Sequence, residues 1–424
     1  GTLTVFNRTI LRVDQATGLA AGNLSLPWRP DVGDLSVHRL VIRRGATVID
    51  VLQSGQGFTV ARREPNLEMA TLDGVLTANI QPEGLEVGDV LELATSVTVR
   101  DPVMAGHVED LVAIGGSFPI GRAHFRASWP AKLPVRIRTS GPIKPPTTTS
   151  AGADRVVETT VDGVVPFQSP KLAPPRFQVG RLVELSDFAS WADMGALMAP
   201  LYVKAATVPA TGPLADEIAK IRNASADPVV QTTAALSLVQ NRVRYVALSM
   251  GSGGLLPADA AMTWTRRYGD CKAKTALLLA ILGQLGIDAV PVAVNATAGD
   301  GIDERLPAIG VFNHVLVRAM IAGRTYWLDG TRIGDTALER LTVPNVGWGL
   351  PLIAKGAALV RMVAPPRPVP TSEVSVAIDA SEGLSVPAPV EVTNVLRGDE
   401  AVAFNAALAN LATGARDAAL REML

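Results

Sequence analysis

The chain holds a single cysteine, Cys271, within Arg266-Arg267-Tyr268-Gly269-Asp270-Cys271-Lys272. It follows a Gly-Asp turn signal and opens an apolar run, Ala273 to Leu282, with the composition of a helix. A thiol in the first turn of a helix meets unpaired N–H groups and the positive end of the dipole, which favour a thiolate. Arg267 and Lys272 add positive charge beside it. The thiolate is the nucleophilic form, so this placement suits covalent acyl transfer.

A thiol nucleophile needs a base. Of the four histidines, His38, His107 and His124 lie in the first third of the chain, and only His314 follows the cysteine. Val311 to Arg318 is β-branched and alternating, which predicts a strand over that segment with His314 near its start. A turn at Gly323-Arg324 leads into a second strand, Thr325 to Thr331, with Asp329 near its end. In an antiparallel hairpin the start of one strand lies beside the end of the next. His314 and Asp329 would then be neighbours, with the carboxylate orienting the ring and stabilising its protonated form. The same three side chains could ligate zinc, but the spacing of paired metal ligands is missing. Gly269 to Thr275 mimics a phosphate loop only weakly, because Ala273 stands where close backbone approach needs glycine.

The order cysteine helix, histidine strand, aspartate strand resembles the transglutaminase-like superfamily of cysteine acyl-transfer enzymes. Tyr268-Gly269-Asp270-Cys271-Lys272, Asn313-His314 and Trp327-Leu328-Asp329-Gly330-Thr331 carry the likeness. Arg244-Tyr245-Val246-Ala247-Leu248, Gly253-Gly254-Leu255-Leu256-Pro257 and Leu285 to Val292 extend it. Together they are similar to the bacterial subgroup with an N-terminal DUF3857 domain, strongly over residues 187–365 and more loosely over 1–186. Such proteins usually carry an acidic residue second after the cysteine; here it is Ala273. The resemblance implies a Cys271–His314–Asp329 triad, a thioester intermediate, a peptide or protein amide as substrate, and no cofactor. It also implies an exported, periplasmic protein. Family members place an oxyanion donor upstream of the cysteine, before a glycine loop. Tyr245 fits by place, with Gln240 second, beside the Cys271 backbone N–H.

Composition bounds the alternatives. A chain of 424 residues, 48% hydrophobic, predicts two or three domains with cores of their own. A net charge of −1 with no basic block argues against nucleic acid as a partner. One cysteine excludes an internal disulfide. No transmembrane segment is expected, since the most apolar stretch, Thr275 to Val294, is broken by Gln284, Asp288 and Pro291.

The expected fold is multidomain α+β. Residues 1–186 read as an antiparallel β-sandwich, with a hairpin over Val37–Val51 turning at Arg44-Gly45 and strands at Val75–Ile80 and Val90–Val99. Residues 187–365 read as a papain- or transglutaminase-like α+β core. Ser186-Asp187 would cap a helix over Phe188–Ala199, Asp227-Pro228 would start another, and Gly251–Gly254 would form a loop. A proline-rich link, Ala364 to Pro370, precedes residues 371–424, two strands and a helical pattern that read as the start of a truncated third domain. The best functional expectation is thiol acyl transfer on an amide, with hydrolysis favoured over transamidation because water is always present. The second is a non-catalytic peptide-binding or scaffolding protein that keeps the fold.

Overall fold

The computed structural model describes residues 2–62, 71–72, 74–248, 254–383, 385–409 and 411–422. Contacts divide the chain into two units. The first comprises Gly1–Met194, Tyr245–Ala258 and Glu304–Val311, and the second Gly195–Arg244, Asp259–Asp303 and Phe312–Leu424.

Alternating β-branched sequence makes the first unit a stack of antiparallel sheets. One sheet runs in the order Leu3–Arg12, Val90–Val99, Gly33–Arg44, Thr47–Asp50. Its register sets Leu40 opposite Leu93 and Ile42 opposite Leu91. These apolar cross-strand pairs share a core with Ile80 and Leu24 from a second sheet, Leu24–Trp28, Leu76–Ile80 and Thr59–Arg62. Arg44 pairs with Thr47 across a two-residue turn, and Gly45 there has φ +56°, as the hairpin pattern requires. A second pair of three-stranded sheets follows, packed through Trp129, Val135, Val157 and Leu185.

The second unit is built on a five-stranded antiparallel sheet. Its order is Arg324–Leu328, His314–Ile321, Asp288–Val294, Gly347–Pro351, Val360–Met362. The helices before it are α1 (Trp191–Ala205), α2 (Pro213–Ala224), α3 (Pro228–Arg242), α4 (Ala260–Arg266) and α5 (Cys271–Gln284). Ten of the fourteen residues of α5 are buried, so it is the central helix, apolar on every side. Leu277, Leu278, Ile281 and Leu282 join Leu236 and Val239 of α3 and Val317 and Leu328 of the sheet in one core. Asp227 caps α3 by accepting from the Val229 N–H at 2.8 Å, with Pro228 in the first turn.

The fold class is multidomain α+β, with antiparallel sheets first and helices packed on a sheet afterwards. Some local expectations change. The first helix begins at Trp191, not at Phe188, and its cap is Ser190, whose hydroxyl accepts from the Asp193 N–H at 3.1 Å. Asp187 instead bonds the His107 ring and the Val108 N–H, while Phe188 is buried against the His107 ring. Residues 251–253 of the glycine loop lie outside the described residues. Toward the end, Ser372–Ile378 pairs with Val390–Leu396, and two helices follow, α6 (Asp399–Ala409) and α7 (Thr413–Glu422). Among the described residues no helix is long and apolar enough to cross a membrane.

Candidate active site

Asp270 ends the turn before α5 in extended conformation, and its carboxylate accepts from the Ala273 N–H at 2.8 Å. That cap places Cys271 as the first helical residue, 8% exposed. The two neighbouring cations are both occupied. The Lys272 ammonium pairs with the Asp270 carboxylate, and the Arg267 guanidinium lies 3.4 Å from the centre of the Trp264 ring. The sequence argument that these charges face the thiol therefore does not hold. The helix terminus is the feature that remains next to it.

The histidine hairpin closes through Ala322-Gly323, with φ +49° and +77°. Both central residues are left-handed, so the turn follows the strand twist and pairs Ile321 with Arg324. Pairing extends to Val317 and Leu328, leaving Asp329 one residue beyond the ladder. His314 Nε2 and Asp329 Oδ2 are 2.8 Å apart. The imidazole also hydrogen-bonds the Cys271 side chain.

Burial is the largest influence on His314 and disfavours its charge. The hydrogen bonds to Asp329 and Cys271 and the charge of both groups outweigh it, raising its pKa to about 10. Burial likewise opposes ionisation of Asp329, yet the His314 hydrogen bond and charge and the bonds from Thr331 hold its pKa below the ordinary value. The Thr331 N–H and hydroxyl donate to Asp329 Oδ1 at 2.8 and 2.6 Å, so Oδ2 is left for the histidine. The Thr275 hydroxyl of α5 donates to the Val315 carbonyl at 3.1 Å, tying the cysteine helix to the histidine strand.

The structure adds residues whose sequence context gave no functional signal. Lys274, one turn after the cysteine, is 1% exposed and donates from Nζ to the Val243 carbonyl at 2.5 Å. Burial lowers its pKa to about 8, partly offset by the charge of Asp329. Tyr202 of α1 is 4% exposed, and burial together with the charges of Cys271 and Asp270 pushes its phenol well above the ordinary value. It stays protonated and can donate. Gln240 does not supply an oxyanion donor from its amide nitrogen. That Nε2 is engaged by the Asp329 carbonyl at 2.9 Å and by Asp335 Oδ2 at 2.7 Å. Tyr245 ends the two-residue strand Arg244–Tyr245, belongs to the first unit, and is 41% exposed. Among the described residues no cluster of three or more His, Cys, Asp or Glu side chains is arranged to hold a metal ion.

Comparison with known proteins bears on both units. Residues 1–168 match a family model described as a domain of unknown function with a solved structure, DUF3857. A solved structure described as a "putative protease" from Parabacteroides distasonis ATCC 8503 superposes with TM-score 0.65 at 15% identity, over 87% of this chain and 69% of that one. That likeness shows the fold, antiparallel sheets ahead of an α+β unit. A "putative cysteine protease" from Cytophaga hutchinsonii aligns at 12% identity over 68% of this chain and 89% of that one, but its TM-score of 0.24 carries no argument. No curated protein matches the sequence.

Proposed function

We propose that the protein is a cysteine-dependent acyl-transfer enzyme that cleaves a peptide or protein amide. What carries this reading is the His314 imidazole held between the Cys271 thiol and the Asp329 carboxylate at the start of a buried helix. The description of the Parabacteroides structure as a protease agrees with it.

In the proposed reaction the thiol proton resides on His314 before Cys271 Sγ attacks the amide carbonyl carbon. The C–S bond forms and the carbonyl oxygen becomes the oxyanion. The Cys271 N–H, at the first position of α5, is one donor for that oxygen. The intermediate collapses, the C–N bond breaks, and the imidazolium hands its proton to the leaving amine. A thioester remains. Water, deprotonated by His314, attacks it and releases a carboxylic acid and the free thiol. A primary amine in place of water would give transamidation, and hydrolysis is the favoured outcome. Asp329 orients the ring and stabilises its charge throughout. The side-chain donor is proposed to be Tyr245, with Tyr202 as the alternative that its buried, protonated phenol favours. Tyr245→Phe and Tyr202→Phe separate them, since the true donor's loss lowers kcat by roughly 100-fold and the other's does not. An exported, periplasmic location belongs to the same proposal and is checked by cell fractionation.

Profiling the protein against a peptide library tests the reaction. Wild type should release amines, and Cys271→Ala and His314→Ala should each lose about ten-thousand-fold in turnover while remaining folded. Equal turnover in wild type and Cys271→Ala would refute thiol catalysis and leave a binding or scaffolding role.

A further inference from the structure

The carboxylate of Asp329 is only as well placed as the turn that carries it, and that turn lies past the last pair of the hairpin ladder. Its main chain is wedged between two helices. A Cβ on Gly330 would stand 3.1 Å from Val239 Cγ1 of α3 and 3.5 Å from Lys274 Cβ of α5. Next to Val239 is Gln240, 4% exposed. Both hydrogens of its Nε2 are used, one on the Asp329 carbonyl at 2.9 Å and one on Asp335 Oδ2 at 2.7 Å. Its Oε1 is buried without a partner. A buried amide that leaves one end unsatisfied costs free energy, so the two bonds at the other end must be worth keeping.

The far anchor is itself braced. Asp335 Oδ1 receives Arg332 at 3.1 Å, and the same guanidinium nitrogen reaches Asp399, at the start of α6, at 2.8 Å. Arg332 also closes the turn from its backbone, donating to the Asp329 carbonyl at 3.3 Å. The charges around the turn are therefore His314 from the hairpin, Lys274 from α5, Arg332, Asp335 and, from α6, Asp399. Gln240 is the neutral member among them. It can donate twice without adding a charge beside Asp329.

We infer that Gln240 is a positioning residue of the triad: it clamps the Asp329 main chain to Asp335 and so holds the carboxylate at hydrogen-bond distance from His314. The inference rests on the proposed thiol–imidazole pair. It assigns Gln240 a role on the side of the triad away from the substrate, in place of contact with the oxyanion.

Because the chain has one cysteine, iodoacetamide alkylation read by intact mass reports on Cys271 alone. Its rate follows the reactive thiolate, so a rate–pH profile senses how well His314 is held. Profiles would be compared for wild type, His314→Ala, Gln240→Met and Gln240→Glu. Gln240→Met keeps the volume and removes both donors. It should alkylate roughly fivefold to tenfold more slowly at neutral pH, the kinetic equivalent of one lost hydrogen bond, with its profile displaced toward that of His314→Ala. Gln240→Glu keeps the length but sets a carboxylate against Asp335. Its deficit relative to wild type should shrink on acidification, as the introduced carboxyl regains a donor. If Gln240→Met does not fold, Gln240→Glu carries the test alone. Profiles that follow wild type in every folded variant, while His314→Ala departs from it, would overturn the clamp, as would a lowered melting temperature with an unmoved profile. A His314→Ala profile identical to wild type would instead bring down the thiol–imidazole pair itself.

Discussion

His314 gains its proton affinity from two partners at once, and this fixes the direction of its pH effects. Its ordinary value is 6.5 and its folded value about 10. A group raised on folding contributes stability that is complete below its unfolded value and is lost as pH rises through the folded one. For Asp329, held below its ordinary value of 3.8, the sign is opposite: the contribution is present above that value and fades as pH falls past it. The pair therefore stabilises the fold across the neutral range and weakens toward pH 10. On the proposed mechanism, kcat/KM should fall on the alkaline side near the same point, because the imidazolium that protonates the leaving amine is lost. Asp329→Asn removes the charge that sustains His314. It should lower turnover by roughly ten-thousand-fold and move the alkaline limb downward, and an unmoved limb would mean that Asp329 does not set the histidine's charge. Cys271 and His314 stood out because their types are rare here, and Asp329 because its place fits a hairpin with His314. Lys274 and Tyr202 carried no such signal, and Gln240 was read only as a second oxyanion donor, since ordinary helical residues gain a role from what the fold brings against them.

At the scale of elements, alternation was enough to foresee the hairpin, but its turn lies at Ala322-Gly323, one residue before the Gly323-Arg324 that the sequence suggested, and the register follows from the twist of that pair. The cysteine helix was equally plain from the apolar run that follows its Gly-Asp turn. Charge placement was not. Lys272 and Arg267 flank the cysteine in sequence, yet one turns back to Asp270 and the other stacks on Trp264. Spacing gives proximity of backbones but not the competition among partners that decides where a long cation points. The cap at Ser190 shows the same limit, since Asp187 was drawn away by His107 and Val108. Asp270 now has two roles, accepting from the Ala273 N–H and holding Lys272. Asp270→Ala should cost about 1–2 kcal/mol in stability through the lost cap. It also frees a cation next to the thiol, so alkylation of Cys271 should change along with the melting temperature. A change in neither would mean that the cap does not hold the start of α5.

The molecule as a whole is less linear than its sequence. The DUF3857 match covers a continuous stretch, but the first contact unit also takes in Tyr245–Ala258 and Glu304–Val311 from much later in the chain. Composition could not reveal this, because short segments that mix apolar residues with Gly and Pro do not say what they lie against. The second of these segments is held by specific bonds. Glu109 accepts from the Ile309 and Gly310 N–H groups at 2.6 and 2.7 Å, and Ser186 bonds the Pro307 carbonyl. Arg305 pairs with Glu184, a carboxylate only 3% exposed whose other oxygen is 3.1 Å from Arg138. A buried carboxylate that loses a partner keeps its desolvation cost, so the loss is larger than at the surface. Arg305→Ala should therefore destabilise the protein by about 1–3 kcal/mol, less than a fully orphaned charge because Arg138 remains. Arg122 and Asp162 form an ion pair at 2.6 Å in the same unit, with both side chains more than half exposed, and provide the contrast. Arg122→Ala should leave the melting temperature where it is, since solvent already screens that pair. Equal shifts for the two variants in thermal unfolding would show that Glu304–Val311 is not anchored through Glu184.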